Sequence, residues 1–240
     1  MNQNQEVVIS KQEILNRDII DGFKKALPVI IGYIPIAITF GLIAKQSGLS
    51  IFELTMMSGL VFAGASQFMA VNMITIGSSS IEIIIATLIL NLRHFIMTMS
   101  FSNLTTHLSK IKKLMIFTFV TDETYAISTL EDEKSSRSSA YYLTLVISTY
   151  LSWVLGSVAG GLIGDIIPEQ LSVCMGISLY AMFISLLVPQ VKKNSKLLII
   201  IISSMFINIV LFNVLGKGWS IIASTISASF IGIFLFKDDE

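Results

Sequence analysis

Residues 197–216 read LLIIIISSMFINIVLFNVLG, twenty positions with no charged side chain between Lys196 and Lys217. A helix needs about 20 mostly apolar residues to cross a lipid bilayer, and this stretch meets that requirement. Five other uncharged windows of 19 residues or more occur in the chain. They are residues 26–44, 54–81, 138–164, 170–191 and 218–236. The sequence therefore predicts a protein that crosses a membrane several times.

The overall composition excludes an ordinary water-soluble enzyme. Of the 240 residues, 53% are hydrophobic and 13% are charged, with 16 basic residues against 16 acidic ones. A soluble domain carries about 25% charged residues. No basic patch with interleaved aromatic residues points to nucleic acid, so no nucleic-acid partner is expected. The single cysteine, Cys174, rules out a disulfide framework and a cysteine metal site, and no metal or other cofactor is expected.

Two further apolar stretches carry charges near their middle, at about residues 83–102 and 114–130. With these included, residues 27–236 are predicted to form one transmembrane domain, an all-α, polytopic helical bundle of seven or eight segments. Lys110, Lys112 and Lys113 leave the count open, because with eight crossings this cluster falls on the outer side, against the positive-inside rule. The other predicted crossings are about residues 27–44, 54–77, 140–164, 171–188, 197–215 and 219–236.

At least one helix is expected to be kinked, broken or re-entrant near the middle of the membrane. Pro35 lies midway along the first crossing and removes one backbone donor there, so it should kink or break that helix. Small residues crowd the centre of the second crossing, between Gly59 and Ser66, and Gln67 follows them directly. Irregular backbone within a membrane is tolerated only where protein or water satisfies it, which favours a functional site at this position.

The chain ends are predicted to lie outside the membrane. Residues 1–26 hold mixed charges and lack the apolar core of a signal peptide. Apolar residues at helical spacing predict a short amphipathic helix at about residues 11–25, lying on the cytoplasmic membrane surface. Lys24 and Lys25 precede the first crossing and favour a cytoplasmic N-terminus. Residues 237–240 form a polar C-terminal tail.

Charged residues inside predicted crossings point to a site, because a charge at mid-membrane costs several kcal/mol unless it is paired or hydrated. If the third and fourth crossings turn near residue 107, Arg93 and Asp122 lie at nearly the same depth, 14 and 15 residues from the turn. Glu123 is one residue further along and about 100° round the helix, so one of the two carboxylates can pair with Arg93 while the other faces elsewhere. The pair is either a packing device or part of a transport path, and His94 is either a hydrogen-bonding residue or a proton carrier.

A broken helix in the second crossing would expose backbone groups able to hold a substrate. Backbone N–H groups at a helix N-terminus can donate hydrogen bonds to the carboxylate of an amino acid, and Asp122, Glu123 or carbonyl groups can accept hydrogen bonds from its ammonium. A zwitterionic amino acid would suit such a site. Gln67 is expected to face the substrate, while the small residues before it either line the site or serve close packing.

Three runs of residues together resemble the AzlC family, the larger subunits of bacterial branched-chain amino acid exporters. The runs are SGLVFAGASQF at 58–68, LNLRH at 90–94 and TDETYA at 121–126, and the resemblance covers about residues 22–190. It departs from the family pattern at residues 176–183, which lack an expected aspartate and proline. The family-typical positions are Phe62, Ala63, Gly64, Ala65, Ser66, Gln67 and Asn91, expected at the substrate, and Arg93, His94, Asp122 and Glu123, expected in proton coupling or an ion pair.

The resemblance implies a secondary transporter in the bacterial cytoplasmic membrane that exports valine, leucine and isoleucine, with methionine exported by some members. It also implies a small AzlD-type membrane subunit as partner. We expect coupling to the proton-motive force, with His94, Asp122 or Glu123 carrying the proton, and no enzymatic activity. The alternative is a passive channel or scaffold subunit whose partner supplies the transport site. An intramembrane enzyme would need a nucleophile or a metal set that two histidines do not provide.

Overall fold

The computed structural model of the chain describes residues 11–129, 137–164, 191–215 and 217–236, and the single positions 177, 184, 187 and 188. Within these residues the chain forms helices and no strand. The helices are Lys11–Gln46 (α1), Ile51–Leu60 (α2), Gly64–Thr75 (α3), Ser80–Leu104 (α4), Lys110–Thr118 (α5), Asp122–Thr129 (α6), Ser139–Ile163 (α7), Lys196–Leu215 (α8) and Lys217–Phe236 (α9).

Five helices of the described part are long and apolar enough to cross a membrane. They are Leu15–Gln46, Ser80–Leu104, Ser139–Ile163, Lys196–Leu215 and Trp219–Phe236. These helices coincide with the first, third, fifth, seventh and eighth predicted crossings, and the prediction of a polytopic helical membrane bundle is confirmed. The sixth predicted crossing, including Cys174 and most of residues 176–183, lies almost wholly outside the described residues, as does the predicted tail at 237–240.

The first helix is longer than the sequence predicts. Instead of a separate surface helix ending near residue 25, residues 11–25 form the first part of α1, which runs unbroken for 36 residues. Pro28 and Pro35 both lie inside this helix, so Pro35 does not break it. The physical reason is that a proline removes only one backbone donor, and the neighbouring turns keep the helix intact.

Two predicted crossings are each divided into a pair of helices. The second consists of α2 and α3, with the break at residues 61–63, and the fourth consists of α5 and α6, with the break at residues 119–121. The expectation of a broken helix in the second crossing is confirmed. The fourth crossing is divided as well, because Thr121 and Thr124 cap a new helix at Asp122.

The described residues divide into two compact units, and α1, α4 and α7 each contribute to both. The first unit contains residues up to Ala37 and Arg93–Gly156. Its core surrounds Phe101, which is fully buried and meets the rings of Tyr142 and Tyr125 edge-on at centroid distances of 5.5 and 6.1 Å. Buried aromatic side chains contribute large apolar areas, so this cluster holds α4, α6 and α7 together.

An ionic cluster lies at another part of the first unit. Arg137 Nη1 lies 3.0 Å from Asp21 Oδ2 and 3.7 Å from Asp18 Oδ1. The Ser138 amide donates a hydrogen bond of 3.1 Å to Asp18 Oδ2. These contacts fasten the first part of α1 to the beginning of α7, and they account for a buried aspartate at Asp18.

The second unit contains residues Ile38–Leu92 and those from Ser157 onward. Here α1 and α7 cross with their backbones in contact. A Cβ atom added to Gly160 would lie 2.0 Å from the Ile38 carbonyl oxygen, so only glycine fits at this position. The last two helices form a hairpin in which Asn208 Nδ2 donates to Ser224 Oγ at 3.3 Å. Most of the large apolar side chains of α8 are exposed, as expected of a helix that faces lipid.

Candidate functional site

Helix α6 begins with two successive carboxylates, Asp122 and Glu123. Its cap is reciprocal: the Thr121 amide donates to Thr124 Oγ1 at 2.9 Å, and the Thr124 amide donates to Thr121 Oγ1 at 3.4 Å. Such a cap satisfies backbone donors that a helix N-terminus otherwise leaves open. Negative charge in the first turn is also favoured by the helix dipole. The sequence Thr-Asp-Glu-Thr thus ends the break and places both acids at it.

Asp122 is paired with the arginine of α4. Arg93 Nη1 lies 2.7 Å from Asp122 Oδ2, the contact that the depth argument predicts. The two side chains are 40% and 35% exposed, so the pair is accessible from outside the protein interior. Arg93 Nε is buried and has no hydrogen-bond partner among the described residues. The guanidinium therefore keeps a donor that Asp122 does not use.

Glu123 has a neutral partner. The Tyr33 hydroxyl on α1 forms hydrogen bonds with Glu123 Oε2 and with Thr121 Oγ1, the latter at 2.9 Å. Tyr33 is buried, and its ring meets Trp153 of α7 edge-on at a centroid distance of 5.4 Å. Sequence reasoning missed Tyr33. The available signal was a lone tyrosine in an apolar crossing, because a buried tyrosine hydroxyl needs a polar partner.

His94 lies beside this cluster. Its side chain is half-buried, and the charges of Arg93, Asp122 and Glu123 act on it. The structure therefore brings all four predicted coupling residues into one neighbourhood, within the first unit. Whether His94 carries a proton stays a prediction.

In the second unit, the break between α2 and α3 has an unusual backbone. Phe62 has a φ of 40°, in the left-handed region that side chains other than glycine rarely adopt. Gln67 bridges the break. Its Nε2 donates a hydrogen bond of 3.0 Å to Ser58 Oγ, and its Oε1 accepts a hydrogen bond of 3.2 Å from the Ala63 amide. Gln67 is fully buried, so its amide group holds the two helices together across the break. Contact between Gln67 and a substrate stays a prediction.

The other residues of the FAGASQ run pack tightly around this break. Phe62, Ala63, Ala65 and Ser66 are all buried, and Gly64 is the partly exposed position. Ser66 Oγ donates to Asn91 Oδ1 on α4 at 2.8 Å. The predicted substrate residues Phe62–Gln67 and Asn91 thus form a second cluster, within the second unit, in which Gly64 is partly exposed.

Comparison with known proteins identifies the family. The family model described as AzlC protein matches residues 28–167, more than half of the chain. The chain belongs to the AzlC family. Both clusters of site residues lie on helices within the matched region, although no solved structure matches the chain.

Members of the AzlC family from distant organisms are similar over most of their length. The inner membrane protein YgaZ of Escherichia coli is 31% identical over 183 residues, which cover 74% of this chain and 75% of that protein. An uncharacterized membrane protein of Archaeoglobus fulgidus is 32% identical, with 77% and 79% covered. The branched-chain amino acid transport protein AzlC of Bacillus subtilis is 25% identical, with 72% and 68% covered.

These relationships make the chain a multi-pass membrane protein with a role in membrane transport. The AzlC family is a family of transport-associated membrane proteins and not an enzyme family. Among the described residues, no group of three histidine, cysteine, aspartate or glutamate side chains could hold a metal ion.

Proposed function

We propose that this chain is the large subunit of a secondary transporter that exports valine, leucine and isoleucine, and also methionine. The observation that carries the proposal is the relationship to the Bacillus subtilis protein whose name is a branched-chain amino acid transport protein. The proposal also includes the direction of transport, which is export, and the location in the bacterial cytoplasmic membrane. It further includes a cytoplasmic N-terminus and an AzlD-type small subunit as partner.

Proton coupling is assigned to the start of α6. A carboxylate inside a membrane changes its preferred surroundings when it gains or loses a proton, because its charged form is costly to bury. Asp122 is held by Arg93 at 2.7 Å, so protonating it would leave the arginine charge unpaired. Glu123 contacts the neutral Tyr33 and can change its charge without breaking an ion pair. Glu123 is therefore the preferred carrier, and His94, on which the charge of Glu123 acts, is proposed to exchange protons with it.

The substrate is assigned to the break between α2 and α3. Ala63, the N-cap residue of α3, has no side chain that could cap the amides of the first turn, and Gly64 beside it is partly exposed. Backbone N–H groups at such an end favour an anionic group, here the carboxylate of the amino acid. Phe62 and Ala65 add apolar surface suited to a branched aliphatic side chain. Gln67 and Asn91 are assigned the task of holding the break in shape around the substrate.

The test is valine export from living cells. A bacterial strain without its own branched-chain exporters would express the chain together with an AzlD-type small membrane protein, and would be fed a valine dipeptide. We expect intracellular valine to fall several-fold relative to cells with an empty vector, and cells with the Glu123→Gln variant to match the empty vector. Wild-type protein present in the membrane with no effect on intracellular valine, leucine, isoleucine or methionine would refute the proposal.

The same strain separates a transporter from a scaffold subunit. Expression of the chain without the small membrane protein tests whether the transport site lies in this chain. Efflux of valine under those conditions would exclude the passive scaffold. Efflux that depends on the partner but is abolished by Glu123→Gln would still assign the coupling carboxylate to this chain.

A further inference from the structure

The Tyr33 hydroxyl lies between two acceptors but has one proton to donate. Glu123 Oε2 is on one side and Thr121 Oγ1 is on the other, at 2.9 Å. A phenolic hydroxyl donates one hydrogen bond and accepts others, so one of these two contacts must run towards Tyr33. The Thr121 hydroxyl in turn lies 3.3 Å from Thr124 Oγ1, where either oxygen can donate. Glu123, Tyr33, Thr121 and Thr124 thus form a continuous chain of hydrogen bonds.

The direction of this chain depends on one proton. When Glu123 is ionised, Tyr33 donates to its carboxylate, and the Thr121 hydroxyl donates to the Tyr33 oxygen. When Glu123 is protonated, its own hydroxyl donates to Tyr33, Tyr33 donates to Thr121, and Thr121 donates to Thr124. The Tyr33 and Thr121 hydroxyls reverse, the Thr124 hydroxyl can keep its hydrogen bond to the Thr121 carbonyl oxygen, Tyr33 stays neutral in both states, and the only net change is the proton on Glu123.

We propose that Tyr33 is a positioning residue for transport, through which the protonation of Glu123 reverses the hydrogen-bond chain that ends at the cap of α6. This inference rests on the proposed proton-coupled transport. The charged and titratable groups beside Glu123 and Tyr33 are Asp122 of α6, which acts on Tyr33, and His94 of α4, which Glu123 acts on; Arg93 of α4 pairs with Asp122. Arg93 is committed to Asp122, which leaves Tyr33 as the partner that responds to Glu123.

The position of Tyr33 couples the reversal of the hydrogen-bond chain to the helices around it. Thr121 Oγ1 accepts a hydrogen bond from the Thr124 amide at the beginning of α6. A change in the direction of the Thr121 hydroxyl therefore acts on the cap of that helix. Tyr33 itself belongs to α1 and is held by Trp153 of α7. Protonation of one carboxylate is thereby transmitted to the contact between α1 and the break at residues 119–121.

The test separates proton coupling from substrate binding. The full chain and its small partner subunit would be reconstituted into liposomes, and two properties would be measured with radiolabelled valine: exchange of valine at equal concentrations, and uptake driven by an acidic lumen. Exchange involves no net proton movement. For Tyr33→Phe, which keeps the ring on Trp153, we expect exchange within about twofold of wild type and gradient-driven uptake reduced about tenfold, the effect of losing a hydrogen bond to a charged group.

A matched control and a second pair of variants keep the inference falsifiable. Tyr150→Phe removes a tyrosine hydroxyl from the same unit and keeps the ring that packs on Phe119 at 4.7 Å, so both activities should remain. Thr121→Ser keeps the hydroxyl of the chain and should retain coupling, whereas Thr121→Val should exchange valine without responding to the gradient.

Three outcomes would overturn the inference, and they differ from each other. Wild-type protein that exchanges valine but ignores the gradient would refute proton coupling itself. A proton-driven wild type with an equally driven Tyr33→Phe variant would refute the role of Tyr33 alone. Loss of exchange together with uptake in both Tyr33→Phe and Thr121→Val would show that these residues only support the fold.

Discussion

Replacing Gly41 by alanine tests the close crossing of α1 and α7 in the second unit. The added Cβ atom would lie 1.9 Å from the Ser157 carbonyl oxygen and 2.7 Å from the Gly161 amide nitrogen. Real Cβ atoms essentially never approach other atoms closer than 3.0 Å, so the two backbones would have to separate by about 1 Å. A backbone carbonyl cannot rotate away as the end of a side chain can, and the whole crossing must therefore shift.

The expected cost follows from two opposing effects. Inserting one methyl-sized group into a close-packed interior costs about 1–3 kcal/mol. Alanine is favoured over glycine in a helix by about 0.5–1 kcal/mol, which offsets part of this cost. The central values leave a net loss of about 1.3 kcal/mol, which lowers the unfolding midpoint of a chain of this size by roughly 3–5 °C.

Gly32 offers a matched control in the same helix. An added Cβ atom at Gly32 meets no other group within 4 Å, so Gly32→Ala should leave the midpoint unchanged or raise it slightly. The measurement is the fraction of detergent-solubilised protein that stays monodisperse in size-exclusion chromatography after heating. If Gly41→Ala is as stable as Gly32→Ala, the helices do not cross as closely as described.

Three further changes have defined outcomes. In a double-mutant cycle of thermal stability, Arg93→Gln and Asp122→Asn should couple by about 1 kcal/mol, and strictly additive effects would deny the ion pair. Gln67→Leu should lower stability by about 1–3 kcal/mol, because a buried hydroxyl and a backbone amide lose their partner, and a melting temperature equal to wild type would contradict the bridge. Hydrogen bonds from the backbone and side chain of Ser50 lower the pKa of Glu53 from its ordinary value of 4.5. The ionised Glu53 should therefore stabilise the fold above pH 4.5, and this stabilisation should be lost as the pH falls through the lowered pKa. The Glu53→Gln variant should lack this part of the acid dependence of stability.

The sequence predicted best those crossings whose residues are apolar throughout because most of them face lipid. Helix α8 is an example, since its uncharged window and the observed helix Lys196–Leu215 nearly coincide. The break before α6 was not predictable from helix breakers, because residues 114–130 contain neither glycine nor proline. It arises from a cap between two threonines, which competes locally with a continuous helix.

Contacts of the site could be predicted between helices that follow each other in the sequence, but not between helices that are far apart in it. Arg93 and Asp122 could be paired because two helices joined by a turn place residues of equal depth side by side. Tyr33 lies 90 residues from Glu123 in the sequence, and nothing local to either residue indicates that α1 packs beside α6. For Gln67, the sequence indicated a break but could not show that the amide side chain would join its two ends.

The two prolines make α1 easier to bend at two positions. Because proline has no amide hydrogen, Pro28 and Pro35 cannot donate to the carbonyl oxygens of Lys24 and Ile31, and bending the helix costs less there than elsewhere. Tyr33 lies between Ile31 and Pro35, within one of the two turns of this 36-residue helix that lack a backbone hydrogen bond. A rearrangement of hydrogen bonds at that hydroxyl acts on a turn that bends easily, and a small bend there displaces the distant ends of the helix by a larger amount.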